Sequence, residues 1–313
     1  MKPGKNFSRA FIDLARMGRT DWRSVALTFL LVAFISIVLF VISAICVISS
    51  VDVASPTFSK HPANMIALFD ALAAAASIFG FWLACKKILS RPFRSLISTD
   101  MTFDIRRCFL GAVLYLPANA LSLMAISLFF SMRADVWGAP IRHFEWPHHN
   151  HQIVASVGML LAIPFAAFAE ELVFRGWLTQ TLGHYIRSTI TVVALVAVLF
   201  AAYHSQYDLE GKALIMLCSL GFSALSLRDQ RLELAIGAHT AMNVWVTLQA
   251  LFFAGPLPHV QNPLTTLDWW IIVILKGTLP FGLMYGLLQK TRGWFVPTVA
   301  RPAGLGDVQP GHP

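Results

Sequence analysis

Residues 166–178 read AAFAEELVFRGWL, and this stretch decides how the chain is read. An otherwise apolar run carries two adjacent acids, Glu170 and Glu171, and a base, Arg175. An ionisable side chain at the centre of a bilayer costs roughly 2.5–3.5 kcal/mol on insertion scales, so this concentration of charge calls for a reason. On an α-helix Glu171 and Arg175 stand four apart on one face, acid before base, the favourable order for a pair. Glu170 is turned about 100° from Glu171 and is left without that partner. The paired acid reads as structural and the unpaired one as a candidate for chemistry.

The chain around this stretch is a membrane chain. It has 313 residues, 57% hydrophobic and 13% charged, with mean hydropathy +0.65. A soluble domain carries about 25% charged residues. The net charge of +8 and pI near 9.6 do not point to nucleic acid, because most of the bases lie between apolar runs. Cys46, Cys85, Cys108 and Cys218 fall in or at the ends of those runs without CxxC or zinc-ligand spacing, and read as small packing residues. The first apolar run is too long for a signal peptide and lacks a small-residue cleavage site, so it is expected to stay as a span.

A helix needs about 20 apolar residues to cross the hydrocarbon. Runs of that kind lie near 25–48, 63–84, 108–131, 152–173, 189–205, 212–227, 232–253 and 269–289. They predict an all-α polytopic integral membrane protein of about eight transmembrane helices, the sixth of them short and the fourth breaking off at the acid pair. Pro164 and Pro280 should kink their helices. With the N-terminus inside, one side holds the six N-terminal bases together with Lys86, Lys87, Arg91, Arg94, Arg106, Arg107, Arg187 and others. The opposite side holds only Lys60, Arg133, Arg142 and Lys212, which argues for a multi-pass protein of the inner or plasma membrane with both termini cytoplasmic. Trp137, Trp146, Trp269 and Trp270 suit an outer aromatic belt.

The expected organisation is a basic N-terminal segment (1–24), transmembrane helices and loops (25–150), a helical core around the acid pair (151–290) and a Pro/Gly-rich disordered tail (291–313). Phe7, Phe11, Leu14 and Trp22 lie roughly along one helical face of the N-terminal segment. It is read either as a helix lying on the cytoplasmic leaflet or as a plain basic flank.

Two further sites match the acid pair in oddity. LFAAYHSQ puts His204 at the end of the fifth run, four after Phe200. GAHTAMNVW puts His239 and Asn243 inside the seventh, again four apart and so on one face. One intramembrane histidine is readily a helix–helix bonding partner. An acid pair, two histidines and an asparagine on separate apolar helices are harder to explain as packing, which usually uses Ser, Thr and small residues.

EELVFR, FAAYH and HTAMN resemble the EExxxR, FxxxH and HxxxN motifs of the CPBP intramembrane proteases, the CAAX-protease and bacteriocin-processing group also called the ABI family. The resemblance covers roughly residues 154–251 in the family's order and spacing. It implies a helical enzyme with an intramembrane, water-filled catalytic cavity that hydrolyses peptide bonds of membrane-associated or lipid-modified proteins or peptides. It also implies roles: Glu170 as the base that activates water, His204 holding that water, His239 and Asn243 stabilising the oxyanion, and Glu171 with Arg175 bracing the helix. Hydrolysis without a nucleophilic side chain needs such a base and such donors. A carboxylate in a poorly solvated cavity suits a base near neutral pH, and Asn and His both donate.

The same residues admit a zinc alternative with Glu170, His204 and His239 as ligands. No HExxH is present, and the metal-free version is the expectation. Other features carry less. His148, His149 and His151 cluster in an outer loop; Lys276 lies inside the last run and reads as packing near a polar interior. Ser122, Ser127 and Ser131 have no GxSxG or Ser–Lys spacing. Two other classes stand beside the protease: a non-catalytic scaffold or bacteriocin-immunity protein keeping the fold, and a proton-coupled transporter with a Glu/His relay. The transporter's half-helix repeat pattern is absent from the sequence.

Overall fold

The computed structural model describes residues 9–50, 62–134, 150–253 and 264–290. Apart from an isolated bridge between Ser98 and Arg231, the regular elements among them are helical. A short turn α1 (Ala10–Asp13) runs into a 3-10 turn (Leu14–Met17). The long helices follow: α2 (Trp22–Ser50), α3 (Pro62–Ala84), α4 (Ile105–Ala134) and α5 (Asn150–Glu171). Then come α6 (Thr179–Tyr185), α7 (Thr189–Tyr203), α8 (Leu209–Asp229), α9 (Glu233–Phe252) and α10 (Thr266–Lys290).

Each of the eight apolar runs is a helix, and the chain is an all-α polytopic membrane protein. Six helical segments among the described residues are long and apolar enough to cross a bilayer. The other two depart for different reasons. α7 has 15 residues, about 22 Å of helix, which falls short of the ~30 Å hydrocarbon. α9 has 20 residues but carries His239, Asn243 and Gln249 on its apolar length. The outward face of α2 is that of a lipid-facing helix, with Phe29, Leu30, Phe34, Ile37 and Phe40 all exposed.

α9 is the hub, packed on α4, α5 and α8; α10 packs on α4 and α8, closing a four-helix ring. Leu114, Tyr115, Phe222, Leu234, Ala238, Phe281 and Met284 fill that ring. α5 also packs on α3, α3 on α2, and α7 on α8. Glycine sets the α4–α9 approach. A Cβ on Gly237 would overlap the Cys108 carbonyl, and one on Gly111 would overlap the Leu234 carbonyl. Backbones this close leave no side chain to yield. Gly237→Ala should therefore push α9 off α4, costing about 1–3 kcal/mol as overpacking. A thermal unfolding scan showing an unchanged midpoint would refute that tight approach.

Buried ion pairs fix the start of α9. Arg107 of α4 bonds both Asp229 oxygens at 2.7 and 2.8 Å, and Arg231 bonds Glu233 at 2.7 Å. Cys85, Cys108 and Cys218 are free and buried, as packing residues should be.

Three local features differ from the sequence reading. The helix does not break off at the acid pair. It passes through a π-helical segment, Leu172–Leu178, and continues as α6. Such segments are rare and often mark functional sites. Pro117 joins Pro164 and Pro280 inside long helices. The apolar residues of the N-terminal segment also do not all face lipid. Phe11, Ile12 and Ala15 are buried against the protein, while Trp22 is exposed. Their burial places Phe11, Ile12 and Ala15 against the helical core. The side chains of Cys46, Trp137, Trp146, His148, His149 and His151, and the tail from 291, lie outside the described residues.

Candidate active site

Arg175 and Glu171 are fully buried charges, with side chains 1% and 0% exposed. Arg175 Nη1 donates to Glu171 Oε1 at 3.1 Å. Its Nη2 donates to the hydroxyl and the carbonyl of Ser219 on α8, at 2.7 and 3.2 Å. The guanidinium also lies over two rings, Phe200 at 4.4 Å and Phe222 at 5.3 Å. Aromatic faces attract a cation most where water is excluded. The expected pair thus forms, and it reaches a third helix.

His239, on α9, is buried and joins the same carboxylate. Its Nδ1 lies 2.9 Å from Glu171 Oε1. A carboxylate only accepts, so Nδ1 carries the proton and Nε2 is left with its lone pair. Phe222 stacks on the imidazole at 4.6 Å and 21°. The ring is held by its edge and its face, with Nε2 aimed at Glu170, 3.7 Å from Oε2. That separation is too long for a hydrogen bond. Glu170 is partly open, its side chain 24% exposed, and Oε2 has no bonding partner among the described residues. Glu170 is the free acid that the spacing predicts.

His204 caps the C-terminus of α7. Its Nδ1 donates to the Phe200 carbonyl at 2.8 Å, which again fixes the proton and frees Nε2. The Phe200 ring lies 4.7 Å from His204 and 6.0 Å from His239, so the two imidazoles flank one aromatic. Tyr203 and Tyr207 surround His204 at 5.5 and 6.2 Å. Asn243 is half-buried, one helical turn beyond His239.

Residues 152–246 match the family described as Type II CAAX prenyl endopeptidase Rce1-like. The likeness is confined to that stretch. Its bounds enclose Glu170, Glu171, Arg175, His204, His239 and Asn243, and it runs from α5 into α9. The uncharacterized protein YyaK of Bacillus subtilis (strain 168) is 27% identical over 179 residues, 55% of this chain and 57% of YyaK. The chain thus spans a little over half the length of that relative.

Within the matched stretch, the zinc alternative finds no ready ligand set. Among the described residues no group of three His, Cys, Asp or Glu side chains is placed to hold a metal ion. Glu170, His204 and His239 are therefore not gathered as ligands, and the chemistry below is derived from the side chains alone. The matched stretch also contains two residues that sequence reasoning missed, Ser219 and Phe222. Both lie on α8, which carries none of the three motifs. They act on Arg175 and His239 from far along the chain, so no spacing rule could find them.

Proposed function

We propose that this protein is an intramembrane endopeptidase that hydrolyses peptide bonds of membrane-associated or lipid-modified proteins by carboxylate-activated water. One observation carries the reading. Glu171 is engaged by both Arg175 and His239 while its neighbour Glu170 stays free beside Nε2 of that histidine. Two adjacent acids thereby receive different tasks, one positioning and one chemical.

In this scheme Glu170 removes a proton from a water that also donates to His204 Nε2. The water oxygen attacks the scissile carbonyl carbon, and the carbonyl oxygen becomes an oxyanion. Asn243 donates to it through its amide, and His239 donates through Nε2 when the ring carries both protons. The proton taken by Glu170 passes to the leaving amine as the carbon–nitrogen bond breaks. A general base contributes about 10²–10⁴-fold, and one oxyanion donor about 10²–10³-fold. The family match supports substrates at the CAAX-type, membrane-bound end of peptide chemistry. The charge asymmetry of the loops supports cytoplasmic termini.

The test is cleavage of a membrane-anchored peptide by the purified protein in liposomes. His204→Ala and Asn243→Ala should each lower kcat by about 100-fold, in line with single water-holding or oxyanion groups. Wild-type turnover in both variants would remove the scheme.

A further inference from the structure

The site is assembled across one seam. On one side is the continuous rod of α5, the π segment and α6, carrying Glu170, Glu171 and Arg175. On the other are α8 and α9, carrying Ser219 and His239. Among the described residues, the Arg175–Ser219 and Glu171–His239 hydrogen bonds tie the two sides at the site, and both need their helices in register.

At the end of this seam away from Glu170, residues 9–20 lie across both sides. Arg9 grips the rod. Its Nη2 donates to the Gly183 carbonyl at 2.7 Å, and its guanidinium also reaches the carbonyls of Ile186 and Arg187. Gly183 lies in the last turn of α6, whose carbonyls a helix C-terminus leaves unpaired at its electronegative end. Ile12 is fully buried and seated on Gly183, where any Cβ would overlap it. Thr20 adds two ties: its carbonyl accepts from the Tyr185 hydroxyl, and its side chain meets His184 Nε2 at 3.1 Å.

The neighbouring residue, Phe11, grips the other side. Its N–H donates to Gln230 Oε1 at 2.7 Å, at the left-handed residue that ends α8. Its ring is buried in a cluster with Leu227, Leu232 and Ile236, from α8 and α9. Gly183 is eight residues from Arg175, about 12 Å along the rod, and Gln230 is eleven from Ser219, about 17 Å. A shift at these ends is carried to the bonds in the site, where ~1 Å of misplacement costs up to about 100-fold.

We propose that residues 9–20 are a clasp holding the two halves of the site in register, with Arg9 and Ile12 as positioning residues for the chemistry at Glu170 and His239. The kinetic part rests on the function proposed above; the structural part does not.

The experiment compares the full-length protein with Ile12→Ala, the milder Arg9→Gln, and Arg9→Lys as the conservative rescue. Amide hydrogen exchange and kcat and KM on the membrane-anchored peptide are measured for each. In Ile12→Ala and Arg9→Gln, exchange should rise in 170–178 and 238–243, beyond the residues that pack with Phe11 and Ile12. Their kcat should fall at least 10-fold with KM within twofold, and Arg9→Lys should recover much of it. Exchange confined to 9–20, 179–187 and the packing neighbours Phe168 and 227–236 would overturn the clasp, as would remote exchange with kcat unchanged. Remote exchange in a protein whose wild type cleaves nothing would keep the clasp's structural part and sink the proposed function instead.

Discussion

Glu170→Gln should abolish hydrolysis, by about 10³-fold or more, in a protein that folds as well as the wild type. The size follows from the role, since removing a general base costs about 10²–10⁴-fold. The intact fold follows from the surroundings. Glu170 is partly open, makes no salt link shorter than 3.7 Å, and leaves Oε2 without a hydrogen-bond partner among the described residues. The amide has the carboxylate's shape, so stability should move by no more than about 0.5 kcal/mol, as for substitutions away from buried networks. Turnover and the thermal midpoint are measured together. A variant that keeps more than a tenth of wild-type turnover would place the base elsewhere.

Arg175→Met should destabilise more than other single changes in the site while leaving Glu170 untouched. It strands the Glu171 carboxylate in the interior and removes both bonds to Ser219. Breaking one partner of a buried pair costs about 3–5 kcal/mol, largely from the charge left uncompensated. The double variant Arg175→Met/Glu171→Gln separates stability from function. It removes the stranded charge, so much of the lost stability should return, because buried pairs are often replaced by neutral groups with little penalty. Activity should stay low. The carboxamide that replaces the Glu171 carboxylate can turn either its oxygen or its nitrogen toward His239, and it no longer dictates which ring nitrogen carries the proton. Denaturant midpoints and kcat for wild type and both variants check this. Stability that stays low in the double variant would mean that Glu171 is not the stranded charge.

The legible part of this protein is the part written locally. Apolar runs of span length became helices because nothing in them can satisfy a backbone any other way in a bilayer. The i,i+4 rule delivered the Glu171–Arg175 pair, and it left Glu170 free as spacing requires. What the sequence hid depends on distant residues. The Glu171–His239 bond joins positions 68 apart, and Ser219 meets Arg175 across 44. The π segment adds no residue type that distinguishes it from an α-helix. In the N-terminal segment the basic residues drew the reading toward the membrane surface, whereas Phe11 and Ile12 find protein partners at Gln230 and Gly183. The fifth run, read as 189–205 with His204 at its end, is a helix that stops at Tyr203, because His204 caps it.

The most direct measurement of the central claim follows peptide termini in membranes from cells making wild type or Glu170→Gln at matched levels, incubated in ¹⁸O-labelled water. The account predicts new C-termini that carry one ¹⁸O atom, present with the wild type and missing with Glu170→Gln. The same set of termini in both samples, with both proteins folded, would contradict it.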